Sequence, residues 1–151
     1  MEKLTLSEYL SQVRTMKNMI KRKQQRLEEL DHKIRYPSAD WSGVRVQGSR
    51  DPHKMESMIV KADELRLEIM EDLLQEHELH LELIRLISQL QNEDHIQILI
   101  DRYVFLEPWA EIVKETGKNR CYLHTMKQKA LAELEPIYNN MFKTKEEKKN
   151  G

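Results

Sequence analysis

Three observations predict an all-α fold for this chain of 151 residues. Charged residues make up 34% and hydrophobic residues 39%, with only four glycines and four prolines, the profile of a solvated helical protein. Apolar residues recur at helical spacing over two long stretches. The chain as a whole has eight methionines and many leucines and isoleucines, while strand-favouring valine and threonine are scarce. A chain of this length supports about one domain, or a small domain with an extended appendage.

The first helix is expected from about Leu6 to Arg35. Leu6, Val13, Ile20, Leu27 and Ile34 take one heptad position, and Tyr9, Met16, Lys23 and Leu30 the other. Thr5 or Ser7 can cap its start, and Glu8 falls in the first turn, where the helix dipole favours an acid. Lys23 interrupts the apolar seam, which suggests a local polar layer, a register device or a snorkelling side chain. Tyr36-Pro37 ends the helix, because a residue before proline is pushed out of the α region. Gly43, Gly48 and three serines then mark residues 36–52 as a loop, with Trp41, Val44 and Val46 as its apolar points.

A second long helix is expected from Pro52 to about Gln91, with Met55, Met58, Ile59, Ala62, Leu65 and Ile69 as its stripe. Leu73, Leu74, Leu79, Leu81, Leu83, Ile84, Leu86, Ile87 and Leu90 broaden that stripe. Broadening suggests a helix gripped on more than one side, either by the first helix or by a second subunit, the latter making a homodimer through the long helices. Charge separates along the chain: residues 1–36 carry +4, residues 37–93 carry −6 and residues 94–151 carry +1. The basic first helix and acidic second helix are complementary, which points to a long antiparallel helical hairpin over residues 1–92.

Three short helices follow. The first runs from about Glu93 to Val104, with Ile96, Leu99, Ile100, Tyr103 and Val104 inward. Pro108 opens the second, which turns Trp109, Ile112 and Val113 inward and stops at Thr116-Gly117. Asn119 caps the third, whose inward stripe is Leu123, Met126, Ala130, Leu131 and Leu134. Two helices joined by a short glycine turn are the signature of a helix-turn-helix, here a domain over residues 93–142 ahead of a flexible polar tail, 143–151.

The outward face of the third helix carries the chemistry. It holds Arg120, Cys121, His124, Thr125, Lys127 and Gln128, and no acid stands between Thr116 and Ala132. Such a face has the donors and acceptors that base edges and phosphates require. Arg120 and Gln128 are the expected readers of guanine and adenine, with His124 and Thr125 in support. Lys118, Lys127 and Lys129 are expected on phosphates, and Asn119 and Tyr122 complete the candidate DNA-binding set.

The run LIDRYVFLEPWAEIVKETGKNRCYLHTMKQKALAEL resembles region 4 of bacterial sigma factors, in its RY pair, W-x-E-I scaffold helix, glycine turn and R-x-x-x-x-x-x-x-x-A-L reading helix. It is more similar still to the small sigma-like transcriptional regulators of Gram-positive bacteriophages and prophages. Those place two long helices, joined by a segment like ADWSGVRVQGSRDPHKME, before the region-4 fold. The resemblance implies double-stranded DNA as ligand, host RNA polymerase as partner and activation of phage genes. Two other functions are weighed beside it: a DNA-packaging recognition subunit of the small-terminase kind, and a coiled-coil adaptor without DNA binding.

Other classes find little support. The lone Cys121 cannot form an intrachain disulfide, which suits a reducing cytoplasm. The start of the sequence lacks the apolar core of a secretory signal, and no apolar run approaches the ~20 residues of a membrane span. His77 and His80 in HELHLE have acids near them but no second ligand motif, so no metal is expected. No nucleophile–base pair or phosphate loop appears, so the chain is expected to be no enzyme, with no catalytic residues and no cofactor.

Overall fold

The structure, a computed structural model, describes residues 4–37 and 52–150, with side chains as far as residue 143. All regular structure among them is helical: α1 (Leu6–Arg35), α2 (Pro52–Ile87), α3 (Glu93–Leu99), a π-helical turn (Ile100–Val104), α4 (Trp109–Thr116) and α5 (Arg120–Asn150). The expected loop with Trp41, Val44 and Val46 lies outside the described residues. No described helix is long and apolar enough to cross a membrane. The chain divides into two compact units, one of residues 16–76 and one of residues 1–15 with 77–151.

In the unit of residues 16–76, Ile20 of α1 packs with Leu65 and Ile69 of α2, and Met16, Leu27 and Leu30 close around them. The polar layer expected at Lys23 is present. Its ammonium lies 2.7 Å from a buried Asp72 carboxylate and 3.4 Å from Glu68. Asp72 stands three residues past Ile69, in the seam itself, so the layer is built from both helices. Arg66 bridges Asp31 at 2.6 Å and Asp63 at 2.7 Å. As α1 advances from Lys23 to Asp31, its partners on α2 retreat from Asp72 to Arg66.

The broad stripe expected on α2 is not all core. Ile59, Leu73, Leu74 and Leu81 are exposed. Along residues 62–79 the protected positions keep alternating three- and four-residue steps, Ala62, Leu65, Ile69, Asp72, Glu76 and Leu79, and from His80 onward Glu82, Ile84 and the buried Ile87 broaden the protected face. Regular helical phase therefore puts two acids into the seam and leaves neighbouring leucines in solvent.

In the other unit, Leu6, Tyr9, Leu10 and Val13 of α1 share one core with Leu83, Leu86, Ile87 and Leu90 and with the inward faces of α3, α4 and α5. Thr5 and Glu8 form a reciprocal cap, each backbone N–H donating 3.2 Å to the other's side chain. The Tyr9 ring lies 5.2 Å from that of Tyr138, and the Tyr138 hydroxyl donates to the Leu4 carbonyl. The last turn of α2 tightens after Ile87, where Gln89 N–H bonds Leu86 and Leu90 N–H bonds Ile87.

Two sequence expectations are corrected here. The helix expected over Glu93–Val104 is α-helical only to Leu99. Phe105 N–H then reaches back five residues to Ile100, and Glu107 N–H reaches Asp101 at 2.8 Å. One inserted residue shifts the helical phase within this turn, where Asp101 and Val104 are buried while Ile100 and Tyr103 are only partly so; in α3 itself Ile98 and Leu99 are buried and Ile96 partly buried. The polar run expected as a flexible tail continues α5 to Asn150, in line with the helix propensity of lysine and glutamate. That helix also passes through Pro136. A mid-helix proline lacks a donor and crowds the preceding turn, but Leu134 and Tyr138 on either side are at most 1% exposed, and their burial holds the helix together.

Candidate nucleic-acid interface

The joint between α4 and α5 is fixed by local chemistry. Gly117 takes the left-handed conformation (φ 71°, ψ 7°) and its N–H donates 2.9 Å to the Val113 carbonyl, ending α4. Asn119 Oδ1 accepts the Tyr122 N–H at 2.7 Å, capping α5. Pro108 precedes the first residue of α4 and leaves that end without a side-chain cap. Ile112, Leu123 and Met126 bury the contact between the two helices, and α3 packs across α5, where His95 Nδ1 lies 3.1 Å from Glu133. The hydrophobic pins thus aim α5, while polar caps set where it begins.

On the outward side, Arg120, Cys121, Tyr122, His124, Thr125, Gln128 and Lys129 are exposed. Not all are equally available. Asn119 gives its oxygen to the cap, and the Thr125 hydroxyl donates 3.0 Å to the Cys121 carbonyl. Lys118 lies over the Tyr122 ring at 5.1 Å and 3.9 Å from Asp94. Lys127 is half-buried with its ammonium 5.6 Å from the centre of the Trp109 ring, and the His124 ring lies 6.1 Å from that indole. The structure therefore draws His124 and Lys127 together on Trp109 and Lys118 to Tyr122.

Arg102 was not among the sequence candidates and belongs to the same surface. Its guanidinium sits 4.5 Å over Trp109 and donates 2.6 Å to the Glu107 carbonyl. Two cations over one indole is a cation–π arrangement. Burial lowers the pKa of both Arg102 and Lys127, and like charges add to it: Arg14 and Arg120 on Arg102, and Arg102 on Lys127. Cations that discourage one another's charge gain from an anion placed among them. No residue spacing announces this pair, because the contact closes through a turn in which Leu106 itself has positive φ (51°).

Behind the surface, carboxylate oxygens of Asp101, Glu107 and Glu115 lie within 4.8 Å of one another. Burial raises the pKa of Asp101 against the 2.8 Å hydrogen bond that Gln97 donates to it. Glu107 is raised by burial and by the neighbouring acids Asp101, Glu115 and Glu111. Three acids this close resist simultaneous ionisation. The cavity between α3, α4 and α5 holds about 50 Å³, far below the ~300 Å³ of small-ligand pockets. No family model matches the chain, and neither a characterised protein nor a solved structure matches it.

Proposed function

We propose that this chain is a sequence-specific DNA-binding regulator of transcription, an activator of phage or prophage genes that works with a host RNA polymerase in the cytoplasm. In this reading α4, the Gly117 turn and α5 form a helix-turn-helix, α5 enters the major groove, and α1 and α2 form a long hairpin. The protein acts by binding and not by catalysis. The observation that carries the proposal is the exposed face of α5 from Arg120 to Lys129, free of acids and mounted rigidly on a buried stripe. Arg102 beside Lys127 on Trp109 extends the cationic surface beyond the reading helix.

The test is a gel-shift survey of fragments of the source genome at low salt, followed by transcription in vitro from the recovered site with host polymerase. Arg120→Ala should cost about 1–3 kcal/mol and relax one base position. Lys129→Ala should weaken all sequences alike and lower the salt slope by about 1. If no fragment is retarded at low salt, the proposal fails. DNA binding without any effect on transcription, by a ring-shaped oligomer, would replace it with the packaging reading.

A further inference from the structure

We propose that the outer face of α2 between Val60 and Leu74 docks a helix of another protein, one with an apolar stripe flanked by lysine or arginine. Val60, Leu67 and Leu74 stand seven residues apart and are 53%, 61% and 65% exposed. Seven-residue spacing drifts only ~20° per repeat on a straight helix, so the three side chains form one row. Met70, at 61% exposure, fills the gap three residues past Leu67, and the equivalent position three residues past Val60 is Asp63, ion-paired to Arg66 at 2.7 Å. At about 100° per residue the row lies on the opposite side of α2 from Ala62, Leu65, Ile69 and Asp72, the seam facing α1. The packing of α1 cannot cover it. An exposed apolar row of this kind, interrupted only at Asp63, marks an interaction surface on a charged helix, and its repeat is the one at which paired helices interdigitate.

Charge selects the occupant. Glu64 and Glu71 follow Val60 and Leu67 by four residues, so an exposed acidic row runs along one edge of the apolar row. A second copy laid antiparallel on this face would set Glu64 and Glu71 against their own kind. Laid parallel, it would meet them with Ile59, Arg66 and Leu73, and Arg66 is already held by Asp31 and Asp63 at 2.6 and 2.7 Å. Helix α1 of a second copy is basic, yet its exposed large apolar side chain is Met19 alone among the described residues, too little to fill the row. A basic amphipathic helix from a different chain satisfies both rows at once. This inference is independent of the DNA reading.

The experiment uses the full chain and two labelled synthetic peptides of three heptads, each with leucine at both seam positions. One carries lysine at every flanking position and its twin carries glutamate; binding is followed by fluorescence anisotropy. The wild-type chain should bind the lysine peptide in preference to the glutamate peptide. Leu67→Ala with Leu74→Ala should weaken that binding by about a hundredfold, from the apolar area lost. Glu64→Lys with Glu71→Lys should invert the preference. All four side chains are exposed, so helicity by circular dichroism and any DNA retardation should persist in both variants. Binding of neither peptide, or equal binding that the substitutions leave unchanged, overturns the proposal. So does a dimer in sedimentation that Leu67→Ala with Leu74→Ala dissolves, because the face would then belong to a second copy.

Discussion

Replacing Gly117 by alanine isolates the energetic role of the turn that presents α5. The residue sits at φ 71°, and a Cβ built there meets nothing within 4 Å. Steric clash with the surroundings therefore contributes nothing, and the cost comes from the backbone alone. An L-residue in the left-handed region costs roughly 1–2 kcal/mol, and the stiffer unfolded chain returns roughly 0.4–1 of that. The expected net loss is about 1 kcal/mol, or a fall of about 2–4 °C in Tm for a chain of this size. Gly117→Asn should lose less, because asparagine tolerates this conformation better. Urea and thermal unfolding followed by circular dichroism measure both. On the proposed DNA-binding reading, any affinity of the folded protein for DNA should be unchanged, since the Gly117 N–H keeps its bond to Val113. A loss above about 3 kcal/mol would mean that the added carbon meets packed atoms after all. No loss, or a gain, would mean that residue 117 is not left-handed, and the account of how α5 is aimed would fall with it.

Other expectations follow from the same geometry. Leu134→Ala empties a position that is 0% exposed and should destabilise by about 2–5 kcal/mol in urea titration. Lys23→Asp places a third acid beside Asp72 and Glu68 and should lower the unfolding midpoint, while adding Asp72→Lys should restore much of it; an unchanged midpoint in the single variant would deny the polar layer a role. Asp101 has its folded-state pKa raised above the unfolded value by burial, so the folded chain holds that proton more tightly. Its carboxyl costs no stability below the ordinary carboxylate range, and the cost grows as pH rises through the raised value. Asp101→Asn, which keeps an acceptor for Gln97, should therefore stabilise at neutral pH and lose that advantage in acid. A pH-independent difference would assign the effect to packing.

Much of the candidate interface was legible in the sequence because it depends on contacts within a few residues. The Gly117 stop, the Asn119 cap, and the buried Leu123, Met126, Ala130 and Leu134 each follow from local dihedral preference or helical phase. So does the polar layer at Lys23, announced by a cation in an apolar register, although its partner Asp72 was hidden by the more conspicuous leucines beside it. Arg102 escaped notice because it reaches Trp109 only through a turn whose shape no local pattern declares. Lys127, expected on phosphate, is partly claimed by the same indole.

The sequence by itself determined the all-helical class of the described residues, the start of α2 at Pro52, the Gly117 stop and the Asn119 cap, and the sign of charge along each helix, since these are properties of residues a few positions apart. Only the tertiary structure decided that Leu6–Val13 and Leu83–Leu90 share one core with α3, α4 and α5, that a π turn resets the phase after Leu99, and that α5 survives Pro136. Those outcomes depend on which apolar surfaces meet across tens of residues. Burial there outweighs a broken backbone hydrogen bond or an unfavourable local preference.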